Sequence, residues 1–343
     1  MSAAAAGPIR LAITGLGRMG LRHAQNAAAS ERFELVAVAD ADLARAEAVA
    51  GELGAVPCDG AAVERLLDAE RPDALLVASP AASHVPLIEL AAARGVHVFC
   101  EKPLSDDGPA AARAVAAAER AGIVVQVGFQ MRFDRDFARV AGLIERGELG
   151  DLYQLRASLR DVAPPPREYL ASSGGYYWDG MIHLFDLARW LMGEVEELTA
   201  FGAAQSDPMF AELGDVDTAV VVLRFASGAL GVLDTSRVAR YGFDSGLEVL
   251  GSQATVRVPG GRVDGLELLT PARTSTAYAQ DFLERFEPAY PRELEAFADA
   301  LQAGGASPVD GRDGLAAMRL AAAAVLSQRE RRTVRVDADE IGW

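Results

Sequence analysis

The residues from Ile9 to Thr14 form a short apolar run that ends in Gly15-Leu16-Gly17-Arg18-Met19-Gly20, and Leu21 to Ala29 then reads as a helix. Strand, glycine turn and helix follow in that order. Glycines at this spacing let the chain turn tightly, bring its backbone close to a pyrophosphate and pack the helix on the strand. A second apolar run, Phe33 to Ala39, ends at Asp40, twenty residues after Gly20, where a carboxylate would accept hydrogen bonds from ribose hydroxyls. Ala41 follows, so no arginine is at once available for a 2′-phosphate, and the expected cofactor is NAD rather than NADP. The predicted cofactor contacts here are Gly15, Gly17, Arg18, Met19, Gly20 and Asp40.

Further strands are predicted at Ala74 to Ala78, Val96 to Cys100 and Ile123 to Phe129, as the fourth, fifth and sixth of this half, alternating with alanine-rich helices. Such alternation gives an α/β doubly wound parallel sheet covered on both faces. The pattern then changes. Leu152 to Arg160, Val195 to Gly202, Thr218 to Phe225, Ala229 to Ser236 and Leu247 to Leu250 read as strands joined by turns such as Ala226-Ser227-Gly228. Helices are expected at Gly180 to Leu191, Arg292 to Ala303 and Leu315 to Gln328. The fold class predicted is an N-terminal dinucleotide-binding domain, residues 1–128, and a C-terminal α+β domain on a mainly antiparallel sheet, residues 129–343.

Composition removes several function classes. A net charge of -16 is the wrong sign for a phosphate-backbone binder, so no nucleic-acid partner is expected. No stretch approaches membrane-spanning length, and the alanine-rich Met1 to Gly7 lacks the charged start of a targeting segment, so no membrane partner is expected either. The two cysteines, Cys58 and Cys100, form no metal-type or redox-type pair. A cytoplasmic protein is the expectation.

Lys102 is the only lysine in the chain, and arginine stands at every other basic position. Where arginine replaces lysine so generally, the lysine that remains points to a site needing an ammonium on a flexible stem. It follows Glu101 and precedes Pro103 at the end of the fifth strand, the edge where doubly wound sheets bind ligands. Ser79 and Pro80 follow the fourth strand at the same edge and are predicted to contact the cofactor, with Glu101, Lys102 and His84. No catalytic role falls to His84, and Ser83 serves equally well as a cap for the helix that carries it.

After the pair Gly174-Gly175, Asp179, His183 and Asp186 stand at i, i+4 and i+7, which on one helix face presents an imidazole flanked by carboxylates. Of the four histidines, His183 alone has acids on both sides at helical spacing, making it the candidate general base. Zinc would lack further histidine or cysteine ligands nearby, and no metal is expected.

The segments Gly15 to Gly20, Glu101-Lys102-Pro103 and Gly174-Gly175 with Asp179 and His183 resemble the Gfo/Idh/MocA family of NAD(P)-dependent sugar and cyclitol oxidoreductases. Val127 to Asp134, Arg160-Asp161 with Glu168-Tyr169, and Gly231 to Arg237 with Tyr241 to Asp244 are most similar to its inositol 2-dehydrogenases. The resemblance runs from Ile9 to about Val336. It implies a Rossmann domain, a substrate domain that often forms an oligomer interface, a Lys102-Asp179-His183 catalytic set, and a homo-oligomer, dimer or tetramer. The expected reaction is NAD-dependent oxidation of a cyclitol hydroxyl, myo-inositol to its 2-keto product. Alternatives on the same fold are a pyranose dehydrogenase and an enzyme that breaks a glycosidic bond through transient oxidation. Arg132, Asp161 and Tyr241 are the expected hydroxyl contacts, beside Lys102, Asp179 and His183. The chain departs from the subgroup at Met131, Trp178 and Leu184, which would add apolar surface if they line the pocket, with Trp178 able to stack on a sugar ring.

Overall fold

A computed structural model of the chain describes residues 7–261, 268–270, 272 and 274–343. The alanine-rich start, residues 1–6, lies outside the described residues. Packing divides the chain into two compact units, Met1–Gln130 with Pro288–Leu315 and Met131–Glu287 with Ala316–Trp343.

The first unit holds six strands, β1 (Ile9–Thr14), β2 (Phe33–Asp40), β3 (Val56–Asp59), β4 (Ala74–Val77), β5 (His97–Cys100) and β6 (Val125–Val127). They pair in the order β3-β2-β1-β4-β5-β6, every pair parallel. Helices on both faces bury β4 completely, and β1 except at Arg10, on the sheet interior, which is why these strands read as apolar runs. The sequence reading leaves the third strand unplaced. It is β3, a largely exposed edge containing Pro57.

The predicted boundary after residue 128 gives the whole remainder to the second domain, and Pro288–Leu315 corrects it. The helix Ala289–Ala303 buries Leu294, Phe297 and Ala298 in the same apolar cluster as Leu11, Phe33 and Phe99. Polar contacts seat it as well. Ser30 Oγ donates to Glu295 Oε1 at 2.6 Å, and Gln126 Nε2 donates to the Glu293 carbonyl at 2.6 Å. Contacts so remote in the chain leave no local periodicity to read.

The second unit carries β7 (Leu152–Arg160), β8 (Val195–Ala203), β9 (Thr218–Phe225), β10 (Leu230–Ser236), β11 (Leu247–Gly251), β12 (Thr255–Val258), the short pair β13 (Leu268–Leu269) and β14 (Thr274–Ser275), and β15 (Val334–Arg335). Its main sheet runs β12-β11-β7-β10-β9-β8-β15. It is antiparallel except at β7/β10, a parallel pair that sequential hairpins do not foretell. One face buries Leu155, Leu198, Val221 and Leu233, and the other leaves Phe201, Val220, Val222 and Leu230 exposed. The helix predicted at Gly180 to Leu191 is Ile182–Met192, and a separate short helix, Tyr176–Asp179, precedes it. Gly180 sits at the break, where a Cβ would come within 2.3 Å of the Tyr176 ring.

Candidate active site

At the carboxyl edge of the first sheet the three glycines of the turn have different duties. Gly15 has φ +85°, and a Cβ there would lie 2.4 Å from the Ser79 nitrogen, so glycine is required. A Cβ on Gly20 would lie 1.7 Å from the Gly15 carbonyl oxygen. Gly17 would meet no protein atom within 4 Å, so its bareness serves something outside the chain's own packing. It is the N-cap of the helix Arg18–Ala29, makes no side-chain cap bond, and is followed by no acid in the first turn. That helix end, with exposed Arg18 and half-exposed Met19, has the uncapped N-terminus that an anion such as a pyrophosphate would require.

Asp40 is buried at the end of β2. Its Oδ2 accepts from Leu16 N at 2.6 Å and its Oδ1 from Asp42 N at 2.9 Å, tying the glycine turn to the strand. The sequence reading finds no arginine at hand, but the helix Leu43–Leu53 brings Arg45 Nη1 to 3.6 Å from Asp40 Oδ1.

Beyond β4, Ser79 Oγ lies 2.6 Å from Ser83 Oγ, and Ser83 donates to the Pro80 carbonyl at 2.7 Å. Ser83 therefore does not cap the helix His84–Ala92, which has no side-chain cap bond. His84 is buried with Nε2 2.7 Å from the Ser79 carbonyl oxygen and Nδ1 2.8 Å from that of Pro103. Burial pushes its pKa down against the pull of the two carbonyls. With both ring nitrogens used, His84 staples the segments after β4 and β5, which corrects its place among the cofactor contacts. Next to it, Lys102 is half-buried past the end of β5. Glu101 turns inward: its Oε1 lies 2.8 Å from His23 Nε2, and its Oε2 accepts from Lys102 N at 3.2 Å. No helical spacing links His23 to an acid, so the sequence reading passes over it.

In the second unit Asp179 is clamped. Tyr169 donates its hydroxyl to Oδ1 and Arg237 donates Nη2 to Oδ2, each at 2.7 Å. Arg237 is 3% exposed, its Nη1 stands 3.6 Å from Asp161 Oδ2, and its guanidinium lies 4.2 Å from the centroid of the Tyr176 ring. Burial works against the charge, but the carboxylates of Asp179 and Asp161 outweigh it and hold the Arg237 pKa up. Tyr176 hydrogen-bonds Thr235, which donates to the Leu159 carbonyl at 2.7 Å. Neither Tyr169 nor Arg237 is marked as a site residue by local sequence, although both lie in segments that carry the family resemblance.

His183 stands half-buried in the first turn of the helix Ile182–Met192. The expected imidazole flanked by carboxylates needs correction at Asp186: Asp179 lies in the short helix just before, whereas Asp186 is in a buried ion pair. Arg132 donates Nε and Nη2 to that carboxylate at 2.9 and 2.5 Å. Arg132 is itself buried, so its expected contact with a substrate hydroxyl is replaced by a structural one. Asp161 is half-buried, and Tyr241 is exposed and donates to Asp244 Oδ2 at 2.7 Å. Met131 and Leu184 are 1% and 0% exposed, too enclosed to add apolar surface to a pocket. Trp178 lines a hollow with Val325, Leu326 and Ile341.

These two halves match known descriptions over nearly the whole chain. "Oxidoreductase family, NAD-binding Rossmann fold" covers residues 9–129, and "Oxidoreductase family, C-terminal alpha/beta domain" covers residues 141–336. The chain belongs to the Gfo/Idh/MocA oxidoreductase family. It is 39% identical to a myo-inositol 2-dehydrogenase of Thermotoga maritima across 96% of this chain and 99% of that one. A myo-inositol dehydrogenase structure from Corynebacterium glutamicum aligns with a TM-score of 0.90 at 34% identity, over 96% of this chain and 99% of that chain. A Lactobacillus casei scyllo-inositol dehydrogenase, solved with NAD(H) and scyllo-inositol, aligns with a TM-score of 0.89 at 26% identity and the same coverage. The Rossmann unit is thus an NAD-binding one, and the open cradle at Gly17 fits that cofactor. Among the described residues no helix is long and apolar enough to cross a membrane.

Proposed function

We propose that this family member is a cytoplasmic dehydrogenase that oxidises one secondary hydroxyl of a cyclitol with NAD, converting myo-inositol to 2-keto-myo-inositol. The observation that carries the reading is the end-to-end match to inositol dehydrogenases in a chain that retains Lys102, Asp179 and His183. His183 takes the hydroxyl proton, and Lys102 polarises the oxygen and stabilises the developing alkoxide. Asp179, held by Arg237 and Tyr169, supplies the negative charge that tunes them. Bound NAD supplies the hydride acceptor. Asp40 takes the ribose hydroxyls and disfavours a 2′-phosphate. Asp161 and Tyr241 remain the hydroxyl partners on the substrate side.

The pyranose alternative leaned on Met131, Leu184 and Trp178 as pocket lining; Met131 and Leu184 are buried, and Trp178 lines a hollow with Val325, Leu326 and Ile341, which weakens that support. The test is kcat/KM with NAD across myo-, scyllo- and D-chiro-inositol, a methylinositol, glucose and xylose, read as NADH absorbance. Turnover of an inositol supports the reading. Turnover of a pyranose with none of any inositol overturns it, and bond cleavage of a glycoside without net NADH would favour the redox-assisted class.

A second copy of the chain is proposed to cover the open sheet face, where Phe201 pairs with Val220 and Val222 with Val232 in register. Light scattering should report an oligomer, and Val222→Asp should dissociate it.

A further inference from the structure

Behind Lys102 the first unit encloses two carboxyl groups around one imidazole. His23 comes from the helix Arg18–Ala29, Glu101 from the end of β5, and Glu293 from the returning helix Ala289–Ala303. His23 and Glu293 are both 0% exposed, and the His23 ring meets Phe99 and Tyr290 edge-on at 5.1 and 6.2 Å. His23 Nε2 is 2.8 Å from Glu101 Oε1 and 3.9 Å from Glu293 Oε1. Neither oxygen of Glu293 has a hydrogen-bond partner among the described residues, nor does His23 Nδ1.

Two ionised carboxylates cannot share so apolar a space without an expensive repulsion. Glu101 is the one equipped to stay charged, since it accepts from the Lys102 backbone and pairs with His23. Burial pushes Glu101 up, but His23 and Lys102 overcome that and leave it below the ordinary carboxylate range. Burial and the Glu101 charge push Glu293 well above it. Gly128 closes the other side, where a Cβ would sit 3.1 Å from the Glu101 carboxyl. The result is a continuous connection from the helix that opens at the glycine turn, through His23 and Glu101, to the main chain of Lys102.

We propose that His23 and Glu101 are positioning residues for Lys102, holding it in register with the helix whose N-terminus faces the cofactor, with Glu293 as the third wall of their pocket. This rests on Lys102 acting on the substrate oxygen. A misplacement of about 1 Å at a reacting centre costs on the order of a hundredfold in rate.

The test uses the full-length protein and four variants, His23→Leu, His23→Gln, Lys102→Met and the double variant His23→Leu/Lys102→Met. Glutamine places a donor where His23 Nε2 stands, and leucine removes it. His23→Leu is expected to lower kcat roughly ten- to a hundredfold while the NADH dissociation constant, from fluorescence titration, stays within about threefold. His23→Gln should recover most of that loss. In the Lys102→Met background, His23→Leu should cost nothing further, because its effect passes through the lysine. Full additivity in the double variant, a glutamine variant no better than leucine, or unchanged kcat in His23→Leu would overturn the proposal. If Lys102→Met alone keeps wild-type kcat, the reading of Lys102 fails instead, and that outcome is separate. Should His23→Leu not fold, the glutamine variant with a loss in kcat above about a hundredfold would also overturn it.

Discussion

The two units reveal their chemistry to the sequence in opposite ways. In the first, β1, β4 and β5 are parallel neighbours, so each strand end falls on the same edge, and Gly15, Ser79 and Lys102 can be placed together simply by finding where strands stop. In the second, Asp179 is held by Tyr169 from the helix Arg167–Ser172 and by Arg237 just past β10. That arrangement depends on β7 and β10 lying parallel side by side, which brings Asp161 and Arg237, the residues just past each strand, to one end. A repeating strand-helix order converts position in the chain into position in space. A mixed sheet does not, and its clamp has to be seen.

The largest expected effect tests whether the second unit supplies chemistry or only scaffold. His183→Ala should lower kcat/KM by about two to four orders of magnitude and remove its rising limb with pH, with Tm unchanged within a few degrees. Arg237→Met should behave differently, since it leaves the Asp179 carboxylate buried without its ion pair. A loss of about 3 kcal/mol in stability is expected with the loss of rate, read from denaturant melts. If His183→Ala retained both rate and pH limb, Asp179 or a water would have to be the base.

Within the first unit the glycine turn separates packing from binding. Gly20→Ala forces a Cβ to 1.7 Å from the Gly15 oxygen, so it should destabilise the fold by a few kcal/mol and take cofactor affinity with it. Gly17→Ala meets nothing, and its Tm should hold within about 2 °C while the dissociation constant for NADH rises roughly tenfold or more. Equal loss of Tm in both variants would show that Gly17 serves the fold and not the phosphate.

The layer order of the first sheet, its glycine turn, Asp40 and most strands of the second sheet were legible because each is written locally, as an apolar run, a spacing or a turn. Asp179, His183 and Asp186 were legible as a pattern, but the break at Gly180 was not, because the Tyr176 ring that leaves no room for a Cβ there is held by Thr235 and Arg237, about sixty residues further along the chain. Arg132 reads as a contact for a substrate hydroxyl, and only the fold sets Asp186 against it. The return of Ala289–Ala303 to the first unit, and with it Glu293, depends on contacts with residues hundreds of positions earlier, and no window of sequence holds both sides.

Glu293 gives the smallest effect and the sharpest check on that hidden part. In the unfolded chain a glutamate ionises near pH 4.3. In the fold its pKa is raised, so above that pH the unfolded state sheds a proton that the folded state keeps, and stability is lost as pH rises toward the folded value. Glutamine has the shape of the neutral acid and nothing to ionise. Glu293→Gln should therefore match wild type near pH 4.5 and exceed it by about 1 kcal/mol or more at pH 8, the gain growing over the interval between. The lowered pKa of Glu101 acts in the opposite direction, with its contribution lost as pH falls, but it is present in both proteins and cancels in the difference. Urea melts of the two proteins at pH 4.5, 6 and 8 provide the measurement. A variant less stable by the same amount at every pH would mean that Glu293 is ionised in the fold and pairs with His23, and the first unit would then hold two buried carboxylates that the imidazole must balance.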